Sequence, residues 1–254
     1  MHVRSDASEP REPPAAVTVV NEAGASPYIL TCEHASNHMP ARYGRLGLTD
    51  EDMRSHIAWD IGAALLARRL SDLLDAPLFL SGYSRLLIDC NRPPGSRSSI
   101  PAQSESIEIP GNRGLTAADI EHREKTFFRP FQERIMRVLD DRQAANRASV
   151  ILGIHSFTPT YLGTGRIWHV GILHGESAEL ASQLIEGFRR DSALVVGDNE
   201  PYRIDPKEDY TVPVHGDARG IPAVLIEVRN DLLASAGDIE SWAGRIAGIL
   251  PTPG

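Results

Sequence analysis

The chain has 254 residues, 41% of them hydrophobic and 24% charged, a composition that builds an ordinary globular core without disulfide support. Its formal net charge of −8 excludes a general nucleic-acid binder, which needs a basic face, but leaves room for cations gathered in one cleft around an anionic ligand. Cys32 and Cys90 are too few for a disulfide framework; each borders an apolar run, so both read as buried thiols in a reducing compartment, the cytoplasm.

Residues 1–26 are polar, rich in Pro, Glu and Arg, and lack the apolar segment of a signal peptide, so they read as a frayed leader. No later run approaches the roughly 20 apolar residues that cross a bilayer. Residues 28–32 (YILTC) form a short apolar run that passes directly into Glu33-His34-Ala-Ser-Asn-His38, a buried strand delivering polar residues at its carboxyl end. Thr49-Asp-Glu-Asp52 is a helix-start signature, and Met53, Ile57, Ile61 and Leu65, then Leu66, Leu70 and Leu73, carry a helical pattern to about Asp75. That helix either runs unbroken or stops at Asp60, which then caps a second helix over 61–74.

Short strands are expected over 77–80 and 86–89. Residues 92–114 are rich in Pro, Gly and Ser and too long for a simple turn, the mark of a lid or binding loop. A charged amphipathic helix follows over 117–145, then strands at 150–154 and 167–173, a helix at 178–190 and a strand at 193–196. A second polar loop covers 197–220, ahead of a strand at 223–228 and a closing helix at 239–249. This alternation predicts one α/β domain, residues 27–254, on a mainly parallel sheet.

Ligands of open α/β sheets bind beyond the carboxyl ends of the strands, and that is where this sequence concentrates its chemistry. The loaded ends are Glu33-His34, Asp89-Cys-Asn91-Arg92, Gly153-Ile-His155-Ser and Ile226-Glu227-Val-Arg229-Asn230. His34 and His155 with one carboxylate make the three-ligand set of a catalytic zinc site whose fourth position stays open; the plainer alternative is two histidines bonded to backbone. Asp60 is the candidate third ligand, although Asp at a helix start is also an ordinary cap. Glu33 competes, but neighbours on an extended strand face opposite ways, so Glu33 and His34 reach one ion only if the strand has ended. His38 reads as a surface residue.

Glu227 interrupts an apolar run, and a carboxylate there is costly unless it is paired or protonated. Either it serves as a general acid and base or it pairs with Arg229 on the same face. Arg92, with Asn91, Arg85 and Arg229 as further candidates, offers donors suited to a substrate carboxylate. His215, in Val-His-Gly-Asp, is either a donor to a developing oxyanion or a turn histidine.

Taken in order, Cys32-Glu-His34-Ala-Ser-Asn, Trp59-Asp60-Ile-Gly62, Ser84-Arg85-Leu-Leu-Ile-Asp89-Cys-Asn91-Arg92-Pro93, Gly153-Ile-His155-Ser156, Asn199-Glu-Pro-Tyr202 and Leu225-Ile-Glu227-Val-Arg229-Asn230 resemble the N-formylglutamate amidohydrolase family. The resemblance spans about residues 28–250 and extends to the zinc carboxypeptidases, the aspartoacylases and the zinc N-acetylmuramoyl-L-alanine amidases. It implies a three-layer α/β/α, phosphorylase/hydrolase-like fold with a mainly parallel mixed sheet. It further implies one zinc ion held by His34, Asp60 and His155, Glu227 as acid and base, and Arg92 of the Asp89-Cys-Asn91-Arg92 string on the substrate's carboxylate, while His215, Arg85 and Arg229 stay candidates from the residues alone. The implied reaction cleaves N-formyl-L-glutamate or a similar small acidic N-acyl amino acid, as in histidine catabolism, with no nucleic-acid or membrane partner. The chain departs from the family's Pro-His-Ser-Gly string at Glu33-His34-Ala35-Ser36, which leaves the acyl group open.

Overall fold

The structure, a computed structural model, describes residues 13–251. Its main sheet is built from β1 (Val17–Val20), β2 (Tyr28–Cys32), β3 (Leu78–Ser81), β6 (Val150–Phe157), β9 (Val170–His174), β10 (Val196–Asp198) and β11 (Ala223–Arg229). Two small hairpins stand apart from it: β4 (Gln103–Ser104) with β5 (Ile107–Glu108), and β7 (Thr160–Tyr161) with β8 (Thr164–Gly165). The sheet order is β1-β3-β2-β6-β11-β9-β10. The four central strands β3, β2, β6 and β11 are parallel, while β1 and β9 run antiparallel to their neighbours β3 and β11. The sheet is therefore mixed and mainly parallel.

Period-two alternation within buried strands assigns each side chain a layer. Leu30, Leu152, Ile154, Val224 and Ile226 face a core shared with α2 (Ala63–Leu74), α5 (Ala178–Arg189) and α6 (Ala236–Ile249). Their neighbours Ile29, Ile151 and Leu225 pack instead on Phe131, Ile135 and Leu139 of α4 (Arg129–Ala144). Helices on both faces of one sheet make the three layers α/β/α. Among the described residues no helix is long and apolar enough to cross a membrane.

The 49–75 segment is broken. Thr49 caps the short α1 (Asp50–Arg54), and α2 starts only after Gly62, whose φ of 85° suits glycine. A Cβ there would also lie 2.5 Å from the Leu233 Cβ. Asp60 thus sits in the connection, two residues before the cap position, and its side chain is not spent on capping. The 117–145 segment is α3 (Ala117–Arg123), a wide π turn over Glu124–Phe128, and α4. Pro130 has no N–H to donate back into the preceding turn, which is a recognised cause of such a bulge.

Two expectations are corrected. Residues 86–89 are not a strand. Leu86 packs with Ile57 and Ile109, Leu87 and Ile88 pack with Phe127 and Phe128, and the backbone is held by turn contacts such as Asp89 N–H to the Ser99 carbonyl at 2.8 Å. The run is apolar because it is buried, not because it joins a ladder. The expected leader is also ordered from residue 13 onward, since β1 pairs along the whole of β3; residues 1–12 lie outside the described residues.

Candidate active site

The end of β2 at Cys32 decides the first contribution. Because the strand has stopped, Glu33 and His34 are both free to turn inward, and both are buried. The backbone N–H of Asp60 donates to the His34 carbonyl at 3.0 Å, which docks the α1–α2 connection against this turn. His155 comes from the second half of β6 and is equally buried. As a result Asp60 Oδ2 lies 2.8 Å from Nδ1 of His155 and 3.3 Å from Nδ1 of His34. Ligand atoms of His34, Asp60 and His155 all fall within 4.8 Å of one another.

The opposite nitrogen of each ring is also engaged. His34 Nε2 donates to Asp89 Oδ1 at 2.8 Å, and His155 Nε2 donates to Glu33 Oε2 at 2.9 Å. Both nitrogens of each ring therefore face carboxylates, which only accept, so without an ion both nitrogens donate. Burial would lower the two imidazoles, but these carboxylates raise them. An ion at Nδ1 would leave the one remaining proton on Nε2, held by Asp89 or Glu33. Glu33 and Asp89 are themselves held. Thr211 Oγ1 donates to Glu33 Oε1 at 2.6 Å, and Arg85 donates to Asp89 Oδ2 at 2.7 Å and, more weakly, to Asp60 Oδ1 at 3.5 Å. Burial alone would raise the Glu33 carboxyl, but the bonds from His155 and Thr211 bring it down to about 2. Asp89 is likewise held well below the usual carboxylate range, burial being outweighed by Arg85 and His34.

This donor set fits a divalent cation. Glu33, Asp60, Asp89 and, when it is ionised, Glu227 against the guanidinium of Arg85 leave three negative charges in a buried space. Isolated buried charge of that size is prohibitively costly. Either two extra imidazole protons or one divalent ion reduces it to one, and a single ion among His34 Nδ1, His155 Nδ1 and Asp60 does so with each imidazole in its neutral form.

Glu227 completes the group. It pairs in parallel register with His155, so the two side chains leave adjacent strands on the same face. It is 6% exposed, and its Oε2 has no hydrogen-bond partner among the described residues. Burial raises its carboxyl to about 7, with His155 pulling down and Asp60 pushing up. The alternative, a pair with Arg229, does not form. Arg229 turns away to Asp231, at 2.8 and 3.2 Å, and to the carbonyls of Arg166 and Trp168, so it is removed from the substrate-binding candidates.

His34, Asp60, His155 and Glu227 share one cavity of about 1080 Å³. Arg85, Asn91 and Arg92 also line it. Arg92 is partly engaged, since its Nη1 lies 2.6 Å from both Asp209 Oδ1 and the Glu208 carbonyl. Asn91 accepts from the backbone N–H groups of Thr211 at 2.9 Å and Tyr210 at 3.3 Å. The lid expected over 92–114 does supply a wall, through Arg97, Ser98 and residues 100–105. His215, by contrast, is not at the cavity. It is buried in the turn Thr211–Gly216, donates to Gln132 Oε1 at 2.7 Å, and burial lowers its imidazole to about 4. The reading of His215 as an oxyanion donor is therefore withdrawn. A smaller hollow of about 550 Å³, bordered by Tyr28, Val150 and Pro222, lies at the amino ends of the parallel strands, away from this chemistry.

Sequence reasoning assigned no role to Asp89, Arg97, Tyr202 or Arg203, all of which line the cavity. Asp89 and Tyr202 stood inside recognised strings, which was a usable signal; Arg97 and Arg203 are loop arginines indistinguishable from any others in the sequence.

A profile of the N-formylglutamate amidohydrolase family matches residues 26–234. The crystal structure of a gene product from Agrobacterium tumefaciens is similar, with 40% identity, a TM-score of 0.90, and coverage of 93% of this chain and 94% of the other. The N-formylglutamate amidohydrolase from Ralstonia eutropha JMP134 shares the fold at 16% identity and a TM-score of 0.73, covering 92% of this chain and 95% of its own. A search of curated proteins finds no match.

Proposed function

The chain belongs to the N-formylglutamate amidohydrolase family, and from that premise we propose that it is a zinc-dependent hydrolase of a small acidic N-acyl amino acid, with N-formyl-L-glutamate the first candidate. The observation that carries this reading is the unpartnered, buried Glu227 carboxyl facing the three donors His34, Asp60 and His155 in one cavity. Two imidazoles and a carboxylate form the ligand type of catalytic zinc sites, in which the ion supplies a Lewis acid that acidifies water and polarises a carbonyl.

The rest is done by the chain's own side chains. Glu227 lines the same cavity as the three donors, and its Oε2 has no hydrogen-bond partner among the described residues, so it is placed to exchange protons there. It takes a proton from the attacking water and returns it to the amide nitrogen as the C–N bond breaks, so that water is consumed and formate and the free amino acid leave. Arg85 lines the cavity and is bonded to Asp60, one of the three donors, so it would take the oxyanion role that His215 and Arg229 cannot fill. Arg92 and Asn91 at the cavity wall hold a substrate carboxylate, and fork geometry favours the Arg for it.

The direct experiment measures formate release from N-formyl-L-glutamate by purified protein after chelation and zinc re-addition, beside N-acetyl-L-glutamate and N-formyl-L-methionine. Zinc-restored turnover with preference for the acidic formyl substrate supports the reading. Metal-replete protein that turns over none of the three overturns it.

A further inference from the structure

We infer that Glu33 is a positioning residue whose two carboxylate oxygens join the imidazole of His155 to the loop carrying Thr211, so that metal affinity and the order of that loop depend on one buried side chain. The inference rests on the metal site proposed above. By sequence position Glu33 competes with Asp60 as a ligand, but the geometry separates the two. Glu33 lies on the Nε2 side of His155, at 2.9 Å, while Asp60 lies on the Nδ1 side, at 2.8 Å. These nitrogens point in diverging directions from one ring, so a single ion cannot take both carboxylates and keep His155.

Each Glu33 oxygen already has a donor: Oε2 accepts from His155, and Oε1 accepts from Thr211 Oγ1 at 2.6 Å. At 1% exposure, Glu33 is closed off from bulk solvent. The consequence for His155 is twofold. Its proton is fixed on Nε2, leaving Nδ1 as the ligating atom, and a full negative charge behind the ring raises the basicity of that atom. Asp89 does the same for His34, but it is shared with Arg85, which withdraws part of its charge.

The Thr211 contact adds the second half. Thr211 is fully buried at the start of a turn whose preceding segment supplies Tyr202, Arg203, Asp205 and Asp209 to the cavity wall. Asn91 anchors the backbone of Tyr210 and Thr211, and Glu33 anchors the Thr211 side chain. Glu33 is thus the one described side chain bonded both to a proposed ligand and to this loop, and ligand orientation and loop order report to each other through it.

The test is Zn²⁺ titration against a chromophoric chelator, with hydrogen exchange over residues 205–216 measured with and without Zn²⁺. Glu33→Gln keeps the shape but loses the charge and is expected to weaken Zn²⁺ binding roughly 10-fold; Glu33→Ala is expected to weaken it up to about 100-fold. Thr211→Val cuts only the loop link. It should leave Zn²⁺ affinity within a few-fold and abolish the extra exchange protection that Zn²⁺ gives residues 205–216 in the parent protein. Circular dichroism identifies a Glu33 variant that has not folded, in which case Thr211→Val decides alone. Parent-like affinity in both Glu33 variants, or Zn²⁺-dependent protection that survives Thr211→Val, overturns the inference. Parent protein that takes up no Zn²⁺ overturns instead the metal reading on which it rests.

Discussion

Replacing Glu227 with Gln separates chemistry from stability in one variant. Gln keeps the volume and most of the polarity of the side chain but cannot carry a proton between water and the leaving nitrogen. Loss of a positioned acid and base costs about 10²–10⁴ in kcat, while the three metal donors are untouched. The structure also fixes the sign of the stability change. Burial raises the Glu227 carboxyl from 4.5 to about 7, so the folded protein favours its protonated form. A carboxyl raised in this way contributes stability that is present below pH 4.5 and lost as pH rises through about 7. At 1.36 kcal/mol per unit the ionised group costs about 3 kcal/mol at pH 8. Glu227→Gln removes that cost. At roughly 2–4 °C per kcal/mol for a chain of this size, metal-free variant protein should melt about 6–12 °C above the parent at pH 8, and the gap should close towards pH 5. A cation at the three donors would pull the Glu227 carboxyl down, so the rising limb of the parent's pH–rate profile should fall at or below pH 7. The assays are formate release at saturating substrate and thermal melts at the two pH values. A variant that keeps more than a tenth of parent kcat, or that melts lower than the parent at pH 8, would falsify the assignment.

Three other outcomes follow from the geometry. His215→Ala should leave kcat within about threefold, because the side chain lies off the cavity, yet cost about 1–3 kcal/mol by leaving the Gln132 Oε1 in the core without its donor; urea melts beside the kinetics check this. His215 is lowered to about 4, so it stays neutral when folded; its stabilising contribution is present above pH 6.5 and lost as pH falls from there towards 4, an acid sensitivity the variant should lack. Arg92→Ala should raise KM for N-formyl-L-glutamate by about tenfold or more with a smaller effect on kcat, and the same change measured on a neutral N-formyl amide will distinguish carboxylate binding from damage to the Asp209 pair. Gly62→Ala places a side chain at a φ of 85° and within 2.5 Å of Leu233, so it should destabilise by more than 1 kcal/mol and weaken Zn²⁺ binding through displacement of Asp60, both readable in one chelator titration and one melt.

The sequence alone determined what local physics controls. Near-continuous apolar runs in Tyr28–Cys32, Val150–Phe157 and Ala223–Arg229 specify strands buried on both faces, and polar residues held back to their carboxyl ends specify where a site must lie. The capping pattern at Thr49 starts a helix, and Asp60 between two helical stretches was readable as a place where the helix could break. His34, Asp60, His155 and Glu227 were therefore legible as a group. Even so, an apolar run such as 86–89 does not reveal whether it joins a ladder or packs in turns, because burial is common to both.

Only the tertiary structure decided which group each polar atom meets. Glu33 is adjacent to His34 in sequence but serves His155, 122 positions away. Arg229 is two residues from Glu227 but leaves it for Asp231, and His215 spends itself on Gln132 in the core. These choices depend on strand order, on the register that sets Glu227 beside His155, and on where a strand stops and its alternation lapses. Those are relations between distant segments, and periodicity within a segment carries no information about them.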